Sequence, residues 1–177
     1  AGREIGKVFV ERLLIDSAAR HGLAFDTELK HVSVTDVWSG HHGGAAFALE
    51  GGERYWLSNC YGYDSAVGID VREGVQDVMI SAPFCRRHEG SGIRLQGQHI
   101  QVLGGHSINN ERTGIHLDGA THGLVANGNY FDNTHQGMLV DGGAEHVRLL
   151  GNAVGNFAGT DSEMRVTDGF KAALEDG

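Results

Sequence analysis

The sequence predicts a right-handed parallel β-helix, an all-β, single-stranded solenoid built of three-strand coils. Three observations carry that expectation. A Gly–apolar–x–apolar motif returns at a nearly constant interval, two further short alternating segments follow each copy, and the 177 residues hold 28 glycines against one proline. A period in the twenties is the mark of stacked repeats, none of which buries its own apolar face alone.

The first strand of each coil follows its glycine. Copies stand at Gly22-Leu23-Ala24-Phe25, Gly44-Ala45-Ala46-Phe47, Gly68-Ile69-Asp70-Val71, Gly92-Ile93-Arg94-Leu95, Gly114-Ile115-His116-Leu117 and Gly137-Met138-Leu139-Val140. The intervals between the glycines are 22, 24, 24, 22 and 23. About ten residues on comes a second strand: Val32-Ser33-Val34, Tyr55-Trp56-Leu57, Val78-Met79-Ile80, Ile100-Gln101-Val102, Leu124-Val125-Ala126 and Val147-Arg148-Leu149. Third segments end at Val37, Cys60, Phe84, Ile108, Phe131 and Val154. Leucine-rich repeats would need a leucine ladder, and helical repeats longer 3.6-periodic apolar runs. Coils of about 23 residues, each rising roughly 4.8 Å, make about six to seven rungs.

Alternation predicts two inward columns on the first strand: Leu23, Ala45, Ile69, Ile93, Ile115, Met138, and Phe25, Phe47, Val71, Leu95, Leu117, Val140. A polar turn column is expected at Asn59, Ser107, Asn129 and Asn152. Val8-Phe9-Val10 and Leu13-Leu14-Ile15 read as the last two strands of an incomplete earlier coil, as in a fragment of a longer solenoid. The helix domain thus spans 1–158, and 159–177 form a tail in which Asp168 caps a short helix, Gly169 to Asp176.

The segment Val125-Ala126-Asn127-Gly128-Asn129-Tyr130-Phe131-Asp132-Asn133, leading to Gly137-Met138-Leu139-Val140, resembles the pectate-lyase-like parallel β-helix superfamily. The resemblance covers roughly residues 8 to 158 and no motif selects a branch. The superfamily includes pectate lyases, polygalacturonases, alginate epimerases and lyases, fructotransferases and phage tailspikes. It implies a polysaccharide partner. The Gly-Gly-x-Gly-x-Asp calcium repeat is missing.

Function must come from outward side chains, because the fold does not decide it. Two outward columns are expected on the first strand: Ala24, Ala46, Asp70, Arg94, His116, Leu139, and Asp26, Ala48, Arg72, Gln96, Asp118, Asp141. The turns feeding them carry Arg86, Arg87, Glu89, Glu111, Arg112, Asp132 and His135. Hydrolysis of a glycosidic bond needs two carboxyl groups, for which Asp118 and Asp141, one rung apart, are candidates, with Asp70 a wider partner and Glu89 a turn alternative. A lyase needs a base, His116 or Arg94, and a group that neutralises a uronate. Arg72, Arg86, Arg87, Arg94 and Arg112, with Glu111, Asp132 and His135, are the expected substrate contacts. The competing expectation is a non-catalytic glycan-binding solenoid such as a tailspike shaft, whose outward face is simply solvated.

Composition narrows the partners. The net charge is −9 with only 14 Lys and Arg and no basic run, which argues against nucleic acid. No apolar stretch reaches the roughly 18 residues of a membrane span. No cofactor or metal is expected: His31, His99, His122 and His146 form a structural column before the second strand, and His41-His42 lacks an acid at useful spacing. The expected setting is extracellular or a virion surface, either as a homotrimer or as part of a larger chain. Cys60 and Cys85 are expected to be free thiols, Cys60 sharing the column of Ile108 and Cys85 reacting faster near the Arg86-Arg87 turn.

Overall fold

The computed structural model describes residues 7–26, 29–155 and 164–166. They form a right-handed parallel solenoid of three seven-stranded parallel sheets. The first sheet holds Leu23–Phe25, Ala45–Leu49, Val67–Val71, Ile93–Leu95, Thr113–Asp118, Gln136–Asp141 and Met164–Val166. The second runs from Val8–Glu11 through Lys30–Thr35, Glu53–Ser58, Gln76–Ser81, Gln98–Leu103 and Leu124–Ala126 to Arg148–Leu150. The third runs from Leu14–Asp16 through Trp38–Gly40, Tyr61–Tyr63, Phe84–Arg86, His106–Ile108 and Asn129–Phe131 to Ala153–Gly155. Val8–Glu11 and Leu14–Asp16 thus stand as the first strands of the second and third sheets, ahead of Leu23–Phe25 in the chain. The strand Met164–Val166 pairs with Gln136–Asp141, so the first sheet continues into the segment assigned to the tail. The expected helix at 169–176 lies outside the described residues.

Each coil turns three corners, and at each corner a residue with a positive φ, between +45° and +68°, recurs, with further positive-φ glycines beside it in some coils. The corner between the first and second sheets uses His31, Arg54, Asp77, His99, His122 and His146. This accounts for the histidine column, since His, Asn and Asp tolerate the left-handed region better than most residues. The imidazoles of His122 and His146 stack at 4.9 Å. The third-to-first corner uses Ser17, His41, Asp64, Arg87, Asn109 and Asp132. Each of the first five donates its backbone N–H to the coil above, as in His41 to the Tyr63 carbonyl at 3.2 Å.

The repeat register departs from expectation at the second copy. Leu23 pairs with Phe47 and Phe25 with Leu49, so Gly22 stands beside Ala46 and not beside Gly44. The inward columns are Leu23, Phe47, Ile69, Ile93, Ile115, Met138, and Phe25, Leu49, Val71, Leu95, Leu117, Val140. Gly44-Ala45-Ala46-Phe47-Ala48-Leu49 contains two overlapping alternations on the same face. The one that places Phe47 and Leu49 in the core prevails because it buries far more apolar surface than Ala45 would. A Cβ is tolerated at Ala46 because the residue facing it is Gly62. Elsewhere the column must be glycine: a Cβ on Gly92 would meet the Asn110 amide nitrogen at 2.7 Å and the Gly114 carbonyl at 2.9 Å.

The expected polar column is also corrected. Asn129 pairs with His106 and Ser107 lies in the inward row with Cys85, so Asn59, Ser107, Asn129 and Asn152 do not stack. A different ladder stands at the buried third-to-first corner. The backbone N–H of each residue donates to a side chain one coil on. Ala18 donates to His42 Nδ1 at 2.9 Å and His42 to Ser65 Oγ at 3.2 Å. Ser65 donates to His88 Nδ1 at 3.3 Å, His88 to Asn110 Oδ1 at 3.1 Å and Asn110 to Asn133 Oδ1 at 3.1 Å. Buried backbone donors at a bend need such acceptors. The sequence hid this ladder because His, Ser and Asn share one role in it.

Both cysteines are free and buried. Cys85 pairs in register with Gly62 and Ser107, pointing inward, and Ile108 pairs with Arg86. Cys60 therefore does not share the Ile108 column, and Cys85 does not face the arginine turn. Burial pushes the Cys60 thiol up to about 12 and the Cys85 thiol up as well.

Candidate active site

The corrected register changes the outward face of the first sheet. The first outward column reads Ala24, Ala48, Asp70, Arg94, His116, Leu139. Two residues further along each chain stand Glu50, Arg72, Gln96, Asp118 and Asp141. Glu50, which the sequence reading missed through the two-residue slip, replaces Ala48.

At one end of this face Asp70 is 3% exposed and sits between two arginines. Arg94 grips it with two N–H groups, Nε to Oδ1 at 2.8 Å and Nη2 to Oδ2 at 3.0 Å. Arg72 Nε reaches Oδ2 at 3.2 Å, and Arg72 Nη1 lies 2.8 Å from Glu50 Oε1. A carboxylate removed from water survives only with such partners. The Asp70 hydrogen bonds raise the Arg94 pKa, so Arg94 remains a cation and is unsuited to the role of base.

At the other end Gln96 Nε2 donates to Asp118 Oδ2 at 2.9 Å. His116 Nε2 lies 2.6 Å from Asp141 Oδ1. When the Nε2–H donates to that carboxylate, a neutral imidazole carries its lone pair on Nδ1, the arrangement of a base oriented by an acid. Ligand atoms of His116, Asp118 and Asp141 all lie within 4.8 Å of one another, so the trio assigned to catalysis is also one that a divalent cation would fit. Beside His116 opens a cleft of about 260 Å³ that Arg112, Thr113, His135 and Gln136 also line.

Residues 6–154 match a family model described as a right-handed β-helix region. The chain belongs to the right-handed β-helix family. Two solved structures of this fold are similar to it, both A-modules of mannuronan C-5 epimerases from Azotobacter vinelandii. One is 17% identical with a TM-score of 0.60, covering 82% of this chain and 49% of its own. The other is 18% identical with a TM-score of 0.56, covering 90% of this chain and 39% of its own. The chain thus spans at most about half the length of these β-helix structures, and the likeness is one of fold. No curated protein sequence matches.

On this β-helix the expected site residues divide into groups. Asp70, Arg72 and Arg94 join in one network, and Asp118, His116 and Asp141 in another on the same sheet. Arg112 and His135 border the cleft beside His116. Glu89, Glu111 and Asp132 are exposed at the third-to-first turns. Arg86 and Arg87 leave the site altogether, lining a separate groove on the third sheet. His41 does find acids, but from neighbouring coils: Asp16 Oδ1 at 2.7 Å and Asp64 Oδ2 at 3.5 Å.

Proposed function

We propose that this β-helix binds an acidic polysaccharide along the outward face of its first sheet and moves a proton on a uronate residue. The observation that carries the reading is the 2.6 Å contact between His116 and Asp141 beside a cleft bordered by Arg112. In this reading Nδ1 of His116 takes the proton from the carbon next to the uronate carboxyl group. The electron pair passes into that carboxyl, whose charge Arg112 offsets. Return of a proton to the same carbon gives epimerisation. Breakage of the neighbouring carbon–oxygen bond, with a proton taken up by the departing oxygen, gives elimination. The solved neighbours are epimerases of mannuronan at C-5, which is chemistry of this kind. Asp118 contacts sugar hydroxyls, and the Asp70 network keeps Arg72 and Arg94 extended along the face.

Hydrolysis is served less well, because Asp141 already holds the imidazole and a glycosidase needs both carboxyl groups at the bond. A binding-only solenoid is the second reading. It is favoured by the mutual pairing of Glu50, Arg72, Asp70 and Arg94, as on any solvated charged face. Incubation with polymannuronate, polyguluronate and polygalacturonate in deuterated water tests the proposal. Deuterium at C-5 or unsaturated-uronate absorbance supports it. Binding without either outcome on any polymer replaces it with the second reading.

A further inference from the structure

The third sheet carries a recess that the reading above does not use. Its first outward column stacks Trp38, Tyr61, Phe84 and His106 on successive rungs. The rings of Trp38 and Tyr61 lie 4.5 Å apart and 14° from parallel, those of Tyr61 and Phe84 5.6 Å apart, and those of Phe84 and His106 5.9 Å apart. The next outward column reads Gly40, Tyr63, Arg86. Because Gly40 has no side chain, the Tyr63 ring lies over it; a Cβ there would meet that ring at 2.5 Å. Tyr63 also stands edge-on to Trp38. Between the two columns the chain turns Gly62 to the core, so the floor is bare backbone. The outcome is a groove of about 510 Å³. Trp38, Tyr61 and Phe84 wall one side of it, and Tyr63, Arg86 and Arg87 the other. That volume lies within the range of about 300–1,000 Å³ typical of ligand sites.

Two properties define its ligand. Trp38 is 50% exposed although nothing in the core needs it, so the aromatic wall is presented to solvent. Arg87 is held by Asp64 at 2.7 Å, whereas Arg86 is exposed and makes no ion pair among the described residues. On a chain of net charge −9, an unpaired guanidinium beside an aromatic wall selects a ligand with apolar faces and an anionic group. A ladder of rings repeating once per rung, roughly 4.8 Å, suits a polymer of repeating rings.

We propose that this groove is a second glycan site, which holds uronate residues with their C–H faces against Trp38, Tyr61 and Phe84 and a carboxylate on Arg86. The inference rests on the polysaccharide reading above, but it uses a different sheet, so the two fail separately. Titration calorimetry with oligomannuronate and oligogalacturonate, and with neutral cellohexaose, tests it on the wild type, Trp38→Ala, Arg86→Gln and His116→Ala. We expect one class of uronate sites to persist in His116→Ala and to weaken at least about tenfold in the Trp38 and Arg86 variants, a loss typical of a binding anchor, with any first-sheet binding unaffected by the two groove variants. Cellohexaose should bind more weakly than the uronates, with little dependence on Arg86. The proposal is overturned if neither uronate binds, or if both groove variants bind like wild type. It is also overturned if light scattering shows an oligomer that Trp38→Ala converts to monomer, because the face is then a contact between chains. Both side chains are exposed, and circular dichroism checks that the variants fold. Turnover of His116→Ala, measured apart, judges the first-sheet reading.

Discussion

His116 reaches diagonally to Asp141 on the adjacent strand. The residue in register with His116 is Leu139, which offers no hydrogen bond, while Asp141 is in register with Asp118. The imidazole therefore turns to the carboxylate two residues further along the next strand, and meets it at 2.6 Å. A diagonal pair of this kind fixes both the tautomer and the direction of the ring.

If that pair performs the proton transfer, Asp141→Asn should lower turnover about a hundredfold, the usual size for loss of a general base's support. His116→Gln should lower it at least as far, and the double variant little more, because the two act as one unit. Steady-state rates on the responsive polymer decide this. Full activity in both single variants would move the chemistry to Glu89 or Glu111.

Asp70→Asn should destabilise the fold by about 3 kcal/mol, the scale for removing one partner from a buried ion pair. It leaves Arg72 and Arg94 facing a neutral amide. Arg72→Gln should cost much less, because its guanidinium is 41% exposed. Urea unfolding followed by circular dichroism compares the two, and equal midpoints for Asp70→Asn and wild type would show that the network contributes nothing.

Stability should fall as the medium is acidified below the ordinary histidine range. His88 is fully buried, its Nε2 has no hydrogen-bond partner among the described residues, and burial pushes its pKa from 6.5 down to about 4. Between those values the unfolded chain binds a proton that the native state refuses. The contribution is complete above pH 6.5 and is lost on descent toward pH 4. At about 1.36 kcal/mol per pH unit this amounts to about 3 kcal/mol. His42 acts in the same direction. His88→Asn, which keeps an acceptor for the Ser65 N–H as Asn110 and Asn133 do for their own donors, should flatten the slope. An unchanged slope would assign the acid sensitivity elsewhere.

Neither thiol should label readily in the native protein. Cys85 should be no faster than Cys60, since both are buried and burial holds both protonated. Alkylation without reductant followed by mass spectrometry tests this. A peptide pair joining Cys60 to Cys85, or fast modification of Cys85, would contradict it.

The sequence by itself determined the architecture. Period and alternation belong to a single strand and a single coil, so Ile69, Ile93, Ile115 and Met138 announce one inward row without reference to anything else. It also placed Asp118 beside Asp141, because the intervals in that half of the chain are regular. Only the tertiary structure decided the register at Gly44-Ala45-Ala46-Phe47-Ala48-Leu49, where two alternations fit equally and the burial of Phe47 and Leu49 selects one. That choice brought Glu50 to Arg72. The interior ladder from His42 to Asn133 and the aromatic wall of Trp38, Tyr61 and Phe84 were hidden for a related reason. Their members recur at the coil period, but which chemical types share a position, and whether it faces in or out, depends on what the neighbouring coils place against it. The diagonal bond from His116 to Asp141 has the same origin: it follows from Leu139 standing opposite, a fact of stacking between coils.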